Sequence, residues 1–260
     1  MVNKPIDLAK ARVLISNDDG IDAQGIKLLE KIVGPLAAEV WVVAPETEQS
    51  GAAHSLTLHR PLRIRKASRR HFAVDGTPTD CVLLGINEVM KDHRPDIVLS
   101  GINRGGNIGD DVTYSGTVAV AMEATLLGLP AIAISLVIES GSVPKWDTAR
   151  YWVPEILKRL ISNPWPPNVL INVNIPDVAA DEVTGMEVSR QGRRKAGSEL
   201  TTRHDPRGRA YYWIGPQRKE DCYQKGTDLW AVNESAISVT PLFMDLTHKP
   251  TLMALKRSLG

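Results

Sequence analysis

Short apolar runs alternate with amphipathic stretches along the first two thirds of the chain. Five runs rich in Val, Ile, Leu and Ala predict buried strands, at 13–16, 40–44, 96–100, 131–135 and 169–173. Apolar residues at helical spacing predict helices between them, at 23–33, 77–89, 118–127 and 147–161. Strand, helix and strand in this order form right-handed crossovers, which make the sheet parallel. The pattern therefore predicts a doubly wound α/β domain.

The pattern changes near Asp177. Residues 187–190 and 210–214 are typical of short strands around a connection rich in Gly and Arg. Nearer the start, residues 61–65 alternate apolar and charged side chains, and residues 71–74 form a strand that could pair with them. We expect three regions: an N-terminal extension (1–11), an α/β catalytic domain (12–176) and a C-terminal extension with a β-hairpin arm (177–260).

Composition narrows the class of protein. Charged residues make up 23% and hydrophobic residues 43%, which is typical of a folded, water-soluble domain. The formal net charge of +1 argues against a globally basic nucleic-acid binder. Cys81 and Cys222 have no disulfide or metal-knuckle spacing, the N-terminus has no apolar signal region, and Glu123, Gly128 and Pro130 interrupt the most apolar stretch. We expect a cytoplasmic protein without membrane spans.

The first strand ends in two adjacent carboxylates, Asp18 and Asp19, followed by Gly20. The carboxyl ends of parallel strands form the ligand-binding edge of open α/β sheets. Neighbouring carboxylates repel each other unless a cation or a proton neutralises them. Asp-Asp-Gly is also a common solvated turn, so these residues alone leave a divalent metal site and a plain turn equally open.

Other strand-end loops supply polar groups to the same edge: Ser50, then Asn103 and Asn107, then Ser115 and Thr117. Carboxylate, hydroxyl and carboxamide oxygens are ligands for Mg²⁺ or Mn²⁺. Glycines in the 101–109 loop let the backbone approach an anion, and Ser115-Gly116-Thr117 starts a helix whose N–H groups favour phosphate. A metal beside a phosphate-binding helix start indicates phosphoryl chemistry.

Several other site types fit less well. The glycine loop follows an internal strand and lacks both the dinucleotide fingerprint and the Gly-Lys-Ser/Thr ending of a phosphate-binding P-loop. Isolated histidines, such as those at 54, 59 and 71, are more often solvated or structural than catalytic. A basic arm follows position 189, and we interpret it as a solvated hairpin or subunit contact in preference to a nucleic-acid site, because aromatic residues are not interleaved through it. Its basic residues are Arg190, Arg193, Arg194, Lys195, Arg203, Arg207 and Arg209. Trp213 and Trp230 are expected in a core or an interface.

Five motifs together resemble one known family. They are Ser16-Asn17-Asp18-Asp19-Gly20, Ala44-Pro45 with Ser50-Gly51, Asp75-Gly76-Thr77-Pro78, Ser100-Gly101-Ile102-Asn103 and Tyr114-Ser115-Gly116-Thr117. In this order they are similar to the SurE (survival protein E) family, with a match over 13–135 that is looser beyond 174. Glu46 stands where the family more often has Asp, but it is not a ligand position.

The resemblance implies a Rossmann-like, mostly parallel sheet with a C-terminal β-hairpin and swapped extension. It implies one Mg²⁺ or Mn²⁺ per subunit, held by Asp18, Asp19, Ser50 and Asn103. It also implies hydrolysis of nucleoside 5′- and 3′-monophosphates, and a homodimer or homotetramer built by exchange of C-terminal elements. The phosphate-binding residues expected beside the metal are Asn17, Asn107, Ser115, Gly116 and Thr117.

Our mechanistic hypothesis is that the metal activates a water molecule, which attacks phosphorus in line while the nucleoside hydroxyl leaves. Either Asp18 or Asp19 could orient that water. One alternative makes Asp19 a covalent nucleophile. Another is a nucleotide sensor without turnover, and a nucleic-acid binder is the least favoured. No residue pattern identifies the preferred base, the sugar position or a further activity on polyphosphate.

Overall fold

The computed structural model describes residues 4–139, 141–194, 200–215 and 223–259. The strands in these ranges are β1 (Arg12–Ser16), β2 (Glu39–Pro45), β3 (Ile64–Lys66), β4 (His71–Val74), β5 (Ile97–Arg104), β6 (Ala131–Leu136), β7 (Val169–Ile175), β8 (Met186–Val188), β9 (Leu200–His204), β10 (Ala210–Ile214) and β11 (Ile237–Phe243). The helices are α1 (Gln24–Val33), α2 (Pro78–Leu84), α3 (Gly116–Leu126), α4 (Trp146–Ile161), α5 (Asp228–Asn233) and α6 (Lys249–Leu259). Short 3₁₀ turns cover Leu8–Lys10 and Gly109–Thr113, and a π-helical turn, Gly85–Val89, extends α2.

Nine strands form one mostly parallel sheet in the order β3-β4-β2-β1-β5-β6-β7-β11-β8. The chain runs from β1 to β2 on one side and later returns to β5 on the other side of β1. This reversal makes the crevice between the carboxyl ends of β1 and β5 a topological switch point, where such sheets bind ligands. The predicted doubly wound α/β fold is confirmed, and the sheet directs Asp18 and Asp19 towards that crevice.

Two hydrophobic clusters cover the two faces of the sheet, because successive strand side chains point in opposite directions. Val13 and Ile15 of β1 join the cluster that includes α1 and α4. Leu14 joins the cluster that includes α2 and α3. Among the described residues, no helix is both long and apolar enough to cross a membrane.

The strand pattern near residue 61 was only partly correct. The predicted strand at 61–65 is the three-residue β3, which pairs antiparallel with β4 as expected. Thr77 caps α2: its hydroxyl accepts from the Asp80 N–H, and the Asp80 carboxylate accepts from the Thr77 N–H. This reciprocal capping fixes the start of α2, just after β4.

The C-terminal region divides between the sheet and the surface. β11 pairs antiparallel with β7 and parallel with β8, so the predicted extension (177–260) contributes two strands to the central sheet. β9 and β10 form a separate hairpin of exposed residues. The strand predicted at 210–214 is β10, whereas the one predicted at 187–190 corresponds to β8 and lies in the central sheet. Trp213, 64% exposed, lies outside the core. In the basic arm, Arg194 pairs with Asp111 at 2.5 Å, whereas Lys195 lies outside the described residues.

Candidate active site

The turn after β1 presents the two aspartates. Gly20 has φ +97°, a conformation that favours glycine, and Asn17 Nδ2 donates to the Gly20 carbonyl at 2.9 Å. Asn17 is fully buried, and its Oδ1 has no hydrogen-bond partner within the described chain. The turn is therefore a fixed structure and not the solvated loop that the Asp-Asp-Gly sequence also allowed.

The first turn of α3 lies directly against Asp18. The Thr117 hydroxyl donates to Asp18 Oδ1, and main-chain hydrogen bonds from Gly116 and Thr117 also act on this carboxylate. A Cβ on Gly116 would come within 2.6 Å of Asp18 Cβ, so this approach requires glycine. The sequence predicted phosphate at this helix start. In the structure, the N–H groups of this helix start and the Thr117 hydroxyl instead donate hydrogen bonds to the carboxylate of Asp18.

The environment of both acids opposes their ionisation. Burial raises the pKa of Asp18, which is 5% exposed, and hydrogen bonds from Thr117 and the backbone oppose that effect. Burial, and after it the charge of Asp18, raises the pKa of Asp19 to about 6. The Arg104 N–H donates to Asp19 Oδ2 at 3.3 Å. Two adjacent carboxylates in this buried setting make the switch crevice a point that favours a cation.

The loop after β2 brings Ser50 to the same edge. The Gln49 N–H donates to the Asp18 carbonyl at 2.8 Å, and Ser50 Oγ donates to Glu48 Oε1 at 2.8 Å. Further along, the Ala53 N–H donates to the Tyr114 carbonyl at 3.2 Å. Ser50 therefore directly follows a residue that is bonded to Asp18.

The same loop is held by a side-chain contact that sequence reasoning missed. His54 Nε2 lies 2.9 Å from Oε2 of Glu123, on α3. The available signal was Glu123 itself, an acid within an otherwise apolar helix. The structural interpretation of His54 fits this contact, because its ring nitrogen lies within hydrogen-bond distance of a buried carboxylate.

Asn103 reaches the edge from an irregular part of β5. The predicted strand ended at Ser100, but β5 continues to Arg104, with a shift in register against β6 between Ser100 and Asn103. Gly101 permits this shift: its φ is +124°, and a Cβ there would lie 2.2 Å from the Ile134 carbonyl oxygen. Asn103 Nδ2 donates to the Gly105 carbonyl at 2.9 Å. Asn103 directly precedes Arg104, which is bonded to Asp19.

Two of the predicted phosphate-binding side chains have defined structural contacts. Ser115 is the N-cap of α3, and its Oγ accepts from the Val118 N–H at 3.0 Å. Asn107 is 7% exposed, and its Nδ2 donates to Ser135 Oγ at 2.8 Å. Ser115, and not Thr117, therefore caps this helix.

The donor atoms at this edge suit a hard cation. Asn103 Nδ2 and the Ser50 hydroxyl already donate within their own loops, and the oxygens of both side chains can still accept a cation. Within the described ranges, no group of three or more His, Cys, Asp or Glu side chains could hold a metal ion. A metal here would therefore rely on two acids together with neutral oxygens.

Comparison with known proteins agrees with this arrangement. A family model described as "Survival protein SurE" matches residues 13–198. Two curated relatives, both named 5′-nucleotidase SurE, come from Paramagnetospirillum magneticum (61% identical) and Rhodospirillum rubrum (54%), and each alignment covers 96% of both chains.

A solved structure gives the same result. The crystal structure of the SurE protein from Aquifex aeolicus superposes with a TM-score of 0.84 at 39% identity, covering 96% of this chain and 100% of that one. Family, relatives and fold therefore agree with the resemblance carried by the five sequence motifs. This chain belongs to the SurE family.

Proposed function

We propose that this chain is a metal-dependent nucleotidase that hydrolyses nucleoside 5′- and 3′-monophosphates to nucleoside and phosphate. The name shared by its relatives, 5′-nucleotidase SurE, supports the reaction class. The observation that supports metal dependence is where two of the proposed ligands donate their polar hydrogens. The Ser50 hydroxyl donates its one hydrogen to Glu48, and Asn103 Nδ2 donates one of its two to Gly105, so the oxygens of both side chains have lone pairs to offer a cation.

The proposed ligands of one Mg²⁺ or Mn²⁺ per subunit are Asp18, Asp19, Ser50 and Asn103. When bound, such an ion supplies positive charge that stabilises the phosphoryl oxygens and makes water more acidic. Asp18 is oriented by Thr117 and the first turn of α3, which suits a fixed ligand. Asp19 is the less buried of the two and is the better candidate to orient the attacking water.

The phosphate group has several candidate partners. Ser115 Oγ accepts from Val118 and keeps its own hydrogen to donate, and Asn107 Nδ2 keeps a second hydrogen beyond the one given to Ser135. We assign direct phosphate contacts to these two side chains. Asn17, Gly116 and Thr117 complete the phosphate-binding set mainly by fixing the turn and the carboxylate of Asp18.

Direct water attack and covalent catalysis by Asp19 differ in stereochemistry. One in-line displacement inverts the configuration at phosphorus, whereas formation and hydrolysis of an aspartyl-phosphate, two displacements, retain it. Hydrolysis of a chiral phosphorothioate ester in isotopically labelled water distinguishes the two routes. We expect inversion, and retention would assign Asp19 as the nucleophile.

Assembly through the C-terminal elements belongs to the same proposal. The β9–β10 hairpin exposes Leu200, Tyr212, Trp213 and Ile214, and α6 has no buried residue. Apolar surface of this kind is typical of subunit contacts. We propose a homodimer or homotetramer in the cytoplasm, where the free, buried Cys81 would stay reduced.

The deciding experiment is a phosphate-release assay across nucleoside 5′- and 3′-monophosphates with Mn²⁺, with Mg²⁺ and with excess chelator. We expect release with metal, loss with chelator, and recovery when Mn²⁺ is restored. Release that persists in chelator would contradict the metal dependence. Nucleotide binding without release under every metal would replace the hydrolase by a nucleotide sensor.

A further inference from the structure

Two carboxamides on β7 hold the main chain of Asn107. Asn174 Oδ1 accepts from the Asn107 N–H at 2.8 Å. Asn172 Nδ2 donates to the Asn107 carbonyl at 2.8 Å, and Asn174 Nδ2 donates to the same oxygen at 3.2 Å. Both main-chain polar groups of Asn107 are thus bonded to side chains of a neighbouring strand.

The contacts come from one face of the sheet. Asn172 and Asn174 are two residues apart on β7, so their side chains point the same way, and Ser135 lies beside Asn174 on β6. Ser135 Oγ accepts from Asn107 Nδ2 at 2.8 Å. Asn107 is therefore fixed through its N–H, its carbonyl and its side chain by residues of two strands.

This arrangement carries a cost in stability. Asn172 and Asn174 are fully buried, and Asn172 Oδ1 has no hydrogen-bond partner within the described chain. Burying a carboxamide with an unsatisfied oxygen is unfavourable compared with an aliphatic side chain. The neighbouring strand residues Leu170, Val173 and Ile175 are aliphatic and fully buried, so packing alone does not explain polar residues here.

The loop held in this way connects the two halves of the site. It begins after Asn103 and Arg104, on the metal side of the site. It then runs into the 3₁₀ turn Gly109–Thr113, which leads to Ser115. Its start is fixed by the Gly105 N–H, which donates to the Leu136 carbonyl at 2.9 Å. Its end is fixed by the Gly109 N–H, which donates to Asp228 Oδ2 at 2.8 Å. The β7 carboxamides hold the middle of the loop.

We propose that Asn172 and Asn174 are positioning residues for the phosphate site: they hold the Asn107 main chain so that its side chain faces the bound phosphate. The inference rests on the proposed function, because it assigns the Asn107 side chain to the substrate. Neither β7 residue touches the substrate. Asn174, with one acceptor and one donor contact, has the larger effect, and Asn172, with one donor contact, has the smaller.

The test uses Asn174→Leu and Asn174→Asp, with Ser238→Ala as the matched control. Leu preserves the volume and removes both contacts, and Asp keeps the shape but replaces the donor. Ser238 lies beside Asn174 on β11, is fully buried and has an unpartnered Oγ, so its loss tests burial without touching the loop. For folded protein we expect kcat/KM to fall about ten-fold or more in both Asn174 variants and to stay near wild type in Ser238→Ala.

Two readouts separate positioning from general destabilisation. Mn²⁺ affinity should remain near wild type in the Asn174 variants, because neither β7 residue is a proposed ligand. Adding Asn174→Leu to Asn107→Ala should cause little further loss of kcat/KM, because the first residue acts through the second. Full additivity, or wild-type kcat/KM in folded Asn174→Leu, would overturn the inference.

A second measurement keeps the inference separate from the reaction. Binding of inorganic phosphate in the presence of Mn²⁺ should weaken in Asn174→Leu and not in Ser238→Ala. If the wild type releases no phosphate from any monophosphate, the proposed function fails. The positioning role would then stand or fall on the phosphate affinity alone, and equal affinities in the two variants would refute it.

Discussion

Helices α3 and α6 have the same length, 11 residues, and opposite environments. Nearly every residue of α3 is buried, including the polar residues Thr117, Glu123 and Thr125, whereas α6 has no buried residue. α3 packs against the sheet of its own chain, and its first turn orients Asp18. The apolar residues of α6, such as Leu252, Leu255 and Leu259, recur at helical spacing without burial in the described chain. In the proposed function, α3 belongs to the active site and α6 is suited to contact another subunit.

Among substitutions near the first turn of α3, we expect Asp18→Asn to have the largest effect on turnover. The carboxamide oxygen can still accept from Thr117, so the fold should persist, but one anionic ligand is lost. We expect turnover to fall by about two or more orders of magnitude and Mn²⁺ affinity to weaken. In metal-free buffer, the melting temperature should stay the same or rise, because a repulsion between neighbouring carboxylates is removed.

Asp22→Asn is the matched control for that experiment. Asp22 follows two residues after Gly20, is exposed, and pairs with Lys27 at 3.1 Å. Phosphate release, isothermal titration with Mn²⁺ and melting with chelator should all match the wild type in this variant. Normal turnover in Asp18→Asn would remove Asp18 from the metal site.

A second prediction divides the first turn of α3 between its two hydroxyls. Thr117→Val removes the donor to Asp18 at nearly constant volume, so we expect Mn²⁺ affinity and kcat/KM to fall together. Loss of a charge-assisted hydrogen bond of about 1.5–3 kcal/mol corresponds to roughly ten- to hundred-fold. Unchanged metal affinity with reduced kcat/KM would instead support a direct phosphate contact for Thr117.

Ser115→Ala should behave differently, because Ser115 caps the helix. We expect a loss of about 0.5–2 kcal/mol in unfolding free energy. If the Ser115 hydroxyl also donates to phosphate, KM for the nucleotide should rise while Mn²⁺ affinity stays the same. Urea denaturation and steady-state kinetics on the same preparation measure both effects, and a weaker Mn²⁺ affinity would argue against this division of roles.

For substitutions on α6, we expect a change in the oligomeric state and little change in catalytic activity. Leu255→Asp places a charge on the apolar side of α6, so the mass in light scattering should fall while kcat/KM per subunit stays within a few-fold. Arg257→Asp, also exposed, changes charge without removing apolar surface and is the control. An unchanged mass in Leu255→Asp would mean that α6 is not a subunit contact.

The smallest effect on the single chain is expected in the β9–β10 hairpin. Because Trp213 is exposed, Trp213→Ser should change the unfolding free energy of the monomer by less than about 0.5 kcal/mol. If the hairpin contacts another subunit, the largest oligomer in analytical ultracentrifugation should be lost. A large loss of stability in the smallest species would instead show that Trp213 packs within its own chain.

The contrast between α3 and α6 also shows which elements could be predicted from the sequence. The five parallel strands and α3 were predicted because each is an apolar run whose pattern is local. β11 was missed: it contains Pro241 and the polar residues Ser238 and Thr240, and only pairing with β7 makes it a strand. α6 was missed because its apolar residues are sparse and none of them is buried within the described part of the chain.

The candidate site likewise has a part that could be predicted from the sequence and a part that could not. Placing Asp18, Ser50 and Asn103 at one edge required only the rule that parallel strands end together. The partner of Thr117 could not be predicted, because a phosphate and a carboxylate satisfy the same N–H and hydroxyl groups. Choosing between them depends on a close approach that Gly116 permits and no sequence pattern encodes.

The position of β11 also has a consequence for synthesis of the chain. β1 to β7 are complete once residue 175 has been made, but β11 takes its place beside β7 only after residue 243. Until then, the nascent chain presents β7 as an open edge, with its backbone groups unpaired on that side. Nascent chains of this kind are prone to associate with one another, so translation beyond Phe243 is the step that closes the edge.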